Sequence, residues 1–175
     1  MMKQLVFSFL VCVICLTSCG LDDADSTFST KYSVAFYFET NRSSELYNTM
    51  GNVGVYATIR QVNGLIRISS PSGTNDYDPT RLGLDFRYGL GGLIVGNTPL
   101  NGPVAYDLAC PNCDRSYYRM AVEGTARAKC EHCGTSYDLN NNGWILEVKD
   151  STAKDLRGLY RYRIEYNGAV VHVYN

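Results

Sequence analysis

The sequence predicts an all-β domain, and three observations predict it. Tyr, Val and Ile gather in short runs, and these residue types suit a pleated, half-buried surface. Gly, Asn, Ser and Pro separate the runs and supply the turns between strands. No segment sustains a helical period; Ser43 to Met50 is the one stretch that suits a short helix. From Lys31 to Asn175 the length fits a single domain, enough to bury a core but hardly two.

In chain order, Tyr32 to Phe38 reads as the first strand. Val53 to Arg60 and Leu65 to Ser69 follow as a hairpin across Asn63-Gly64, a pair that accepts positive φ at both positions. Pro71 to Pro79 reads as a loop, with Asp76-Tyr77-Asp78 an Asx-type turn rather than a cation site, since no further oxygen ligands lie nearby. Leu82 to Tyr88 and Leu93 to Val95 read as strands joined by the bend Gly89-Leu90-Gly91-Gly92. That glycine run is structural, because no Gly-Lys-Ser/Thr and no strand-to-helix setting follows it. Trp144 to Val148 is a further strand. Leu159 to Tyr166 alternates strictly, turns at Asn167-Gly168 and returns as Ala169 to Tyr174, a half-buried hairpin.

Between these strands lie Cys110-Pro111-Asn112-Cys113 and Cys130-Glu131-His132-Cys133-Gly134. Each Cys-x-x-Cys turn can aim two thiolates at one point, as a tetrahedral Zn²⁺ or Fe site requires. Gly134 suits the tight backbone after the second pair. The competing reading is two structural disulfides. Extended residues precede each pair, Val104 to Leu108 and Ala126 to Lys129, and no amphipathic helix follows to create a redox-active thiol. Two metal-binding knuckles at hairpin tips fit this setting. Tyr117-Tyr118, between the knuckles, is expected to pack over the site and shield it.

The other three cysteines, Cys12, Cys15 and Cys19, lie within the first twenty residues. A basic start at Met1-Met2-Lys3 and the apolar run Leu5 to Leu16 make residues 1–18 a secretory signal, too short for a permanent membrane span. Leu16-Thr17-Ser18-Cys19 resembles a bacterial lipobox, which implies cleavage before Cys19 and its acylation. Residues 19–30 are small, polar and acidic and read as a tether. The acidic cluster after Cys19 looks like the signal that sends Bacteroidota lipoproteins to the cell surface. The implied location is the cell envelope, lipid-anchored in the outer membrane, facing either the surface or the periplasm.

The segment Cys130 to Leu139 with the turn Asn140 to Gly143, the approach Pro103 to Pro111 and the closing hairpin at Asn167-Gly168 together resemble the Rieske family over about Lys31 to Asn175. The resemblance implies an antiparallel β-sandwich or barrel with a small rubredoxin- or zinc-ribbon-like metal-binding subdomain at about 108–140. The chain departs from the family at both histidine ligands. Asn112 stands where the first would fall, with Cys113 one residue later, and Cys133 stands where the second would fall. The raised potential that two histidines confer is therefore not expected. His132 is expected at the surface, since Cys110, Cys113, Cys130 and Cys133 already complete a shell.

Three classes of function remain. The first is a lipid-anchored binding or structural module with one structural metal, zinc by preference. The second is an electron carrier with rubredoxin-like Fe or an all-Cys [2Fe–2S] cluster. The third, an enzyme, has thin support: His132 and His172 are the only histidines and no Gly-x-Ser-x-Gly occurs. With 16 Lys and Arg against 17 Asp and Glu, there is no basic footprint for nucleic acid. The expected partners are the membrane, through the lipid, and an unidentified protein or redox mate.

Overall fold

The computed structural model describes residues 28–82, 85–124, 126–149 and 156–175. The signal segment, Cys19 and most of the tether lie outside the described residues. The described chain is built from antiparallel strands and one short helix. No helix among the described residues is long and apolar enough to cross a membrane.

Strands β1 (Val34–Glu39), β2 (Tyr56–Val62), β3 (Leu65–Ser70), β4 (Gly73–Tyr77), β5 (Arg87–Tyr88), β6 (Leu93–Thr98), β7 (Gly102–Asp107), β12 (Arg161–Tyr166) and β13 (Val170–Tyr174) form one sheet in the order β4-β3-β2-β6-β7-β12-β13-β1-β5. The remaining strands, β8 (Met120–Glu123), β9 (Arg127–Cys130), β10 (Ser136–Asp138) and β11 (Trp144–Glu147), form a second sheet in the order β11-β10-β9-β8. The turn between β2 and β3 has φ of 52° at Asn63 and 82° at Gly64, the pair of positive values that matches hairpin twist.

The large sheet curls around a first core. Phe36, Phe38, Val171 and Val173 from one end of the strand order meet Ile59, Ile66, Ile68 and Val95 from the other. Phe38 touches Tyr77 edge-on at 5.2 Å between centroids, joining β1 to β4 across the barrel-like interior. Helix α1 (Ser44–Gly51) closes one end with Leu46 and Met50, and the Ser43 hydroxyl caps it by accepting from the Leu46 N–H. A second core lies between the outer face of the large sheet and the small sheet. Ile94, Val104 and Tyr106 enter it from strands whose alternate residues Leu93, Val95 and Ala105 face the first core. Strands β6 and β7 are thus buried on both faces, which explains their nearly unbroken apolar runs.

Two stretches depart from the sequence expectation. Pro71 to Pro79 is not a loop throughout, because β4 pairs with β3 from Gly73 to Tyr77. This strand is polar for a reason: it is an edge, Asp76 takes a bidentate ion pair from Arg67, and Asn75 and Tyr77 reach the buried Glu45. Leu82 to Tyr88 is not one strand. A 3-10 turn at Pro79–Leu82 precedes the two-residue β5, which pairs with β1 through Arg87 and Tyr88, while Leu82 and Phe86 pack on the first core outside any strand.

Candidate metal centre

Cys110 follows β7 and Cys130 ends β9, so the ladders of both sheets fix the direction in which each knuckle leaves. The two knuckles share one backbone plan. In the first, the Asp114 N–H donates to the Cys110 carbonyl at 2.9 Å; in the second, the Gly134 N–H donates to the Cys130 carbonyl at 3.0 Å. The residue after each second cysteine is left-handed, Asp114 with φ of 49° and Gly134 with φ of 72°. Glycine takes that conformation without strain, and Asp is one of the few other residues that tolerates it.

This repeated plan brings four sulfurs together. Cys110, Cys113, Cys130 and Cys133 place their Sγ atoms within 4.8 Å of one another. Cys110 Sγ lies 3.7 Å from that of Cys133, and Cys113 Sγ 3.8 Å from that of Cys130. A regular tetrahedron with metal–sulfur bonds of about 2.3 Å has edges of about 3.8 Å, whereas a disulfide needs about 2.05 Å. The four cysteines are free thiols, and their separation fits one metal ion. Cys110 and Cys130 are buried in the second core, and Cys113 and Cys133 are partly exposed.

The surroundings favour thiolate at Cys130 and oppose it at Cys110 and Cys113. The Cys113 N–H faces the Cys110 sulfur, and the N–H groups of His132 and Cys133 face the Cys130 sulfur. The Cys110 thiol, sharing its proton, holds Cys130 down at about 4, while the same contact and burial push Cys110 up. Burial pushes Cys113 up to about 12. Cys130 therefore ionises before Cys110 and Cys113, and a bound cation would displace their protons. Tyr137 Oη stands 3.6 Å from Cys110 Sγ and Thr135 Oγ1 stands 3.3 Å from Cys133 Sγ. Burial raises the Tyr137 pKa, which keeps its phenol protonated as a donor toward sulfur.

His132 is exposed, with Nδ1 3.6 Å from Cys113 Sγ and its ring stacked on Tyr118 at 3.7 Å. Tyr118 thus covers the site through His132. Tyr117 does not shield it; that ring is 64% exposed and turns toward a cleft between the sheets. His172 lies elsewhere, on the β13 face against Tyr174 and Tyr37.

Sequence reasoning passed over two anchors of the knuckles. Asp107, fully buried, accepts from the N–H groups of Leu90, Gly91 and Ala109 and from the Tyr162 hydroxyl. The glycine run therefore is a cradle, but for the chain's own carboxylate. A Cβ on Gly91 would stand 2.7 Å from the Ala109 nitrogen, a distance no side chain tolerates. Asp114 is held by Lys31, Tyr32 and Tyr160 at 2.7 to 2.9 Å, which ties the first knuckle to the large sheet. Burial works against its charge, but Lys31 and the phenols prevail and bring it to about 2. No local sequence signal marks either anchor. No known protein family, curated protein or solved structure matches the chain.

Proposed function

We propose that this chain is a lipid-anchored, Rieske-like module of the cell envelope whose four cysteines hold one structural zinc ion, and that it acts by binding rather than by catalysis. The observation that carries this reading is the sulfur tetrahedron: four thiols within 4.8 Å, with edges of 3.7 and 3.8 Å. Two irons side by side would spread the thiolates into two more distant pairs, so the spacing speaks for a single ion rather than an all-Cys [2Fe–2S] cluster. Bound there, zinc would cross-link the knuckles and offer no open position to water or substrate. The residues do the rest: Cys110, Cys113, Cys130 and Cys133 ligate, Thr135 and Tyr137 orient hydroxyls at sulfur, and Asp107 and Asp114 fix the first knuckle.

The N-terminal half of the reading, cleavage before Cys19 and acylation there, rests on Leu16-Thr17-Ser18-Cys19. The Rieske-like scaffold rests on the motif resemblance and on the order of its parts. An antiparallel body, two knuckles carried on a small sheet and a closing hairpin follow one another as that resemblance implies.

The test is the protein purified from its own host. It should be colourless, carry about one zinc per chain by elemental analysis, show no reversible couple in voltammetry, and begin with a lipidated Cys19 by mass spectrometry. A red-brown sample with ferric–thiolate absorption, or with acid-labile sulfide, would replace structural zinc with electron transfer. A lipid-free N-terminus beyond Cys19 would remove the anchor.

A further inference from the structure

The two sheets are linked by one isolated bridge, Ala109 opposite Arg119, beside which the Met120 N–H donates to the Leu108 carbonyl at 2.8 Å. Past that bridge they diverge, and a cleft of about 940 Å³ opens between them. One wall is β8. The other is the outer face of β2, with Tyr56, Thr58 and Arg60, continued by Ser69 on β3.

Strand β8 is the margin of its sheet and, among the described residues, pairs as a strand with β9 alone. Along an antiparallel strand, successive residues turn their N–H and C=O alternately toward and away from the neighbour. The Glu131 N–H donates to the Arg119 carbonyl, and Ala121 and Glu123 stand opposite Lys129 and Arg127. Arg119, Ala121 and Glu123 therefore face β9, and Met120 and Val122 face the other way. Met120 gives its N–H to Leu108. Val122 lines the cleft, where β8 has no strand neighbour among the described residues. Edge strands are usually guarded by charge, proline or a bulge; the run Met120-Ala121-Val122 has none of these.

The cleft also carries a charge bias. Its lining holds Arg60 and Arg119 against Glu131. Arg119 spends its Nε on the Gly91 carbonyl. Arg60 has no hydrogen bond or ion pair among the described residues and adds only a weak field at Asp76.

We propose that this cleft binds an extended peptide segment of a partner protein, which adds as a strand to the open edge of β8 and sets a carboxylate side chain against Arg60. Main-chain hydrogen bonds to Val122 supply affinity, and Arg60 supplies selection. The inference rests on reading the domain as a binding module and is independent of which metal the cysteines hold.

The probe is a displayed library of random octapeptides, panned against the full metal-loaded chain, with enriched peptides then made in capped form and titrated. Enriched peptides should contain Asp or Glu, and binding should shift the Val122 amide signal and protect it from exchange. Val122→Pro removes the N–H that faces the cleft without touching a bond to β9, and should weaken binding about tenfold, as one lost backbone hydrogen bond does. Arg60→Gln should weaken it too, and that loss should vanish for a peptide whose acidic residue is amidated. Ser69→Trp, which fills the cleft from the opposite wall and leaves β8 untouched, should block the same peptides. The proposal is overturned if no peptide binds more tightly than about 1 mM, if Val122→Pro and Ser69→Trp both bind normally, or if the shifted signals centre elsewhere. Metal content measured in every sample separates the two readings. No peptide binding by the unmodified, metal-loaded chain counts against the cleft, loss of binding in a variant that keeps its metal supports it, and failure to hold zinc in the unmodified chain counts against the metal reading.

Discussion

Asp107→Asn is the sharpest single probe of how the first knuckle is held. In the native chain Oδ2 accepts from the Leu90 N–H and the Tyr162 hydroxyl, both at 2.6 Å, and Oδ1 accepts from the N–H groups of Gly91 and Ala109 at 3.0 and 2.7 Å. An amide of the same shape has one accepting oxygen. Its NH₂ best replaces Oδ2, because the Tyr162 hydroxyl can rotate and become an acceptor there while the Leu90 N–H cannot. The variant therefore leaves one buried N–H unpaired and turns its remaining bonds from charge-assisted to neutral. An unsatisfied buried donor costs about 1–3 kcal/mol and the loss of charge assistance in the remaining bonds contributes further, so a total of about 2–4 kcal/mol is expected. For a domain of this size that is a fall in Tm of about 4–16 °C. The assay is thermal and urea unfolding of the metal-loaded protein, with Asp76→Asn on exposed β4 as the comparison; its surface pair with Arg67 is screened by solvent and should contribute little. Burial pushes the Asp107 carboxyl up, against the pull of its four donors. If Asp107→Asn costs no more than Asp76→Asn at neutral pH, Asp107 is a protonated acid in the native state and the cradle does not hold a charge.

Cys130→Ser should remove roughly a quarter of the ~10–16 kcal/mol typical of a four-ligand structural zinc, about 3 kcal/mol or a hundredfold in affinity, and lower Tm with it; full metal content with an unchanged melt would refute a four-thiolate site. Glu45, buried in the first turn of α1, is opposed by desolvation, yet its backbone contact and the hydroxyls of Tyr77, Ser43 and Ser44 win and hold its pKa below the usual value. Because the folded value is the lower one, its stabilising share is present above pH about 4.5 and is lost as pH falls through the folded value. Glu45→Gln should accordingly destabilise at pH 7 and match the wild type at pH about 2; a pH-independent gap between them would show that Glu45 contributes by shape and not by charge.

How much of this was legible depended on the range of the interaction. The knuckles could be read because each is made within five residues, Cys110 to Asp114 and Cys130 to Gly134, and sequence spacing alone sets their shape. Asn63-Gly64 and Asn167-Gly168 were legible for the same reason. Strand β4 was hidden because its partners are polar: Asp76 answers Arg67 and Tyr77 answers Glu45, so Gly73 to Tyr77 shows turn chemistry and no apolar alternation. Asp107 was invisible because three of its four donors are remote, Leu90 and Gly91 from the glycine run and Tyr162, 55 positions away, and the one local donor, the Ala109 N–H, does not announce them. The open edge of β8 belongs to the same class, since an edge is defined by what fails to pair with it elsewhere in the chain.

The division into two cores sets what metal removal should do. All four cysteines belong to or line the second core, with Tyr106, Met120, Tyr137 and Leu139, and none touches the first. The small sheet has only short strands, three or four residues each, and it joins the large sheet through one bridge, the second core, the knuckles and single hydrogen bonds such as Tyr56 Oη to Asn140, the Leu159 N–H to the Gly143 carbonyl and Arg119 Nε to the Gly91 carbonyl. With strands this short the sheet depends on the second core and the knuckles to hold it. The first core, with Phe36, Phe38, Ile59, Ile68 and Val95 fully or almost fully buried, has its own ladders and helix cap. Chelation should therefore release the small sheet as a unit while the curled sheet stays folded, a local opening rather than a global one. Hydrogen exchange before and after chelator addition reads this directly. Amides of Ala121, Ala128 and Tyr137 should lose protection by orders of magnitude, and those of Phe36, Ile59 and Val173 should keep it. If both sets lose protection together, the two cores are one cooperative unit and the metal holds the whole domain. If neither does, the hydrogen bonds of the knuckles suffice without a metal, and the tetrad is not what fastens the second core.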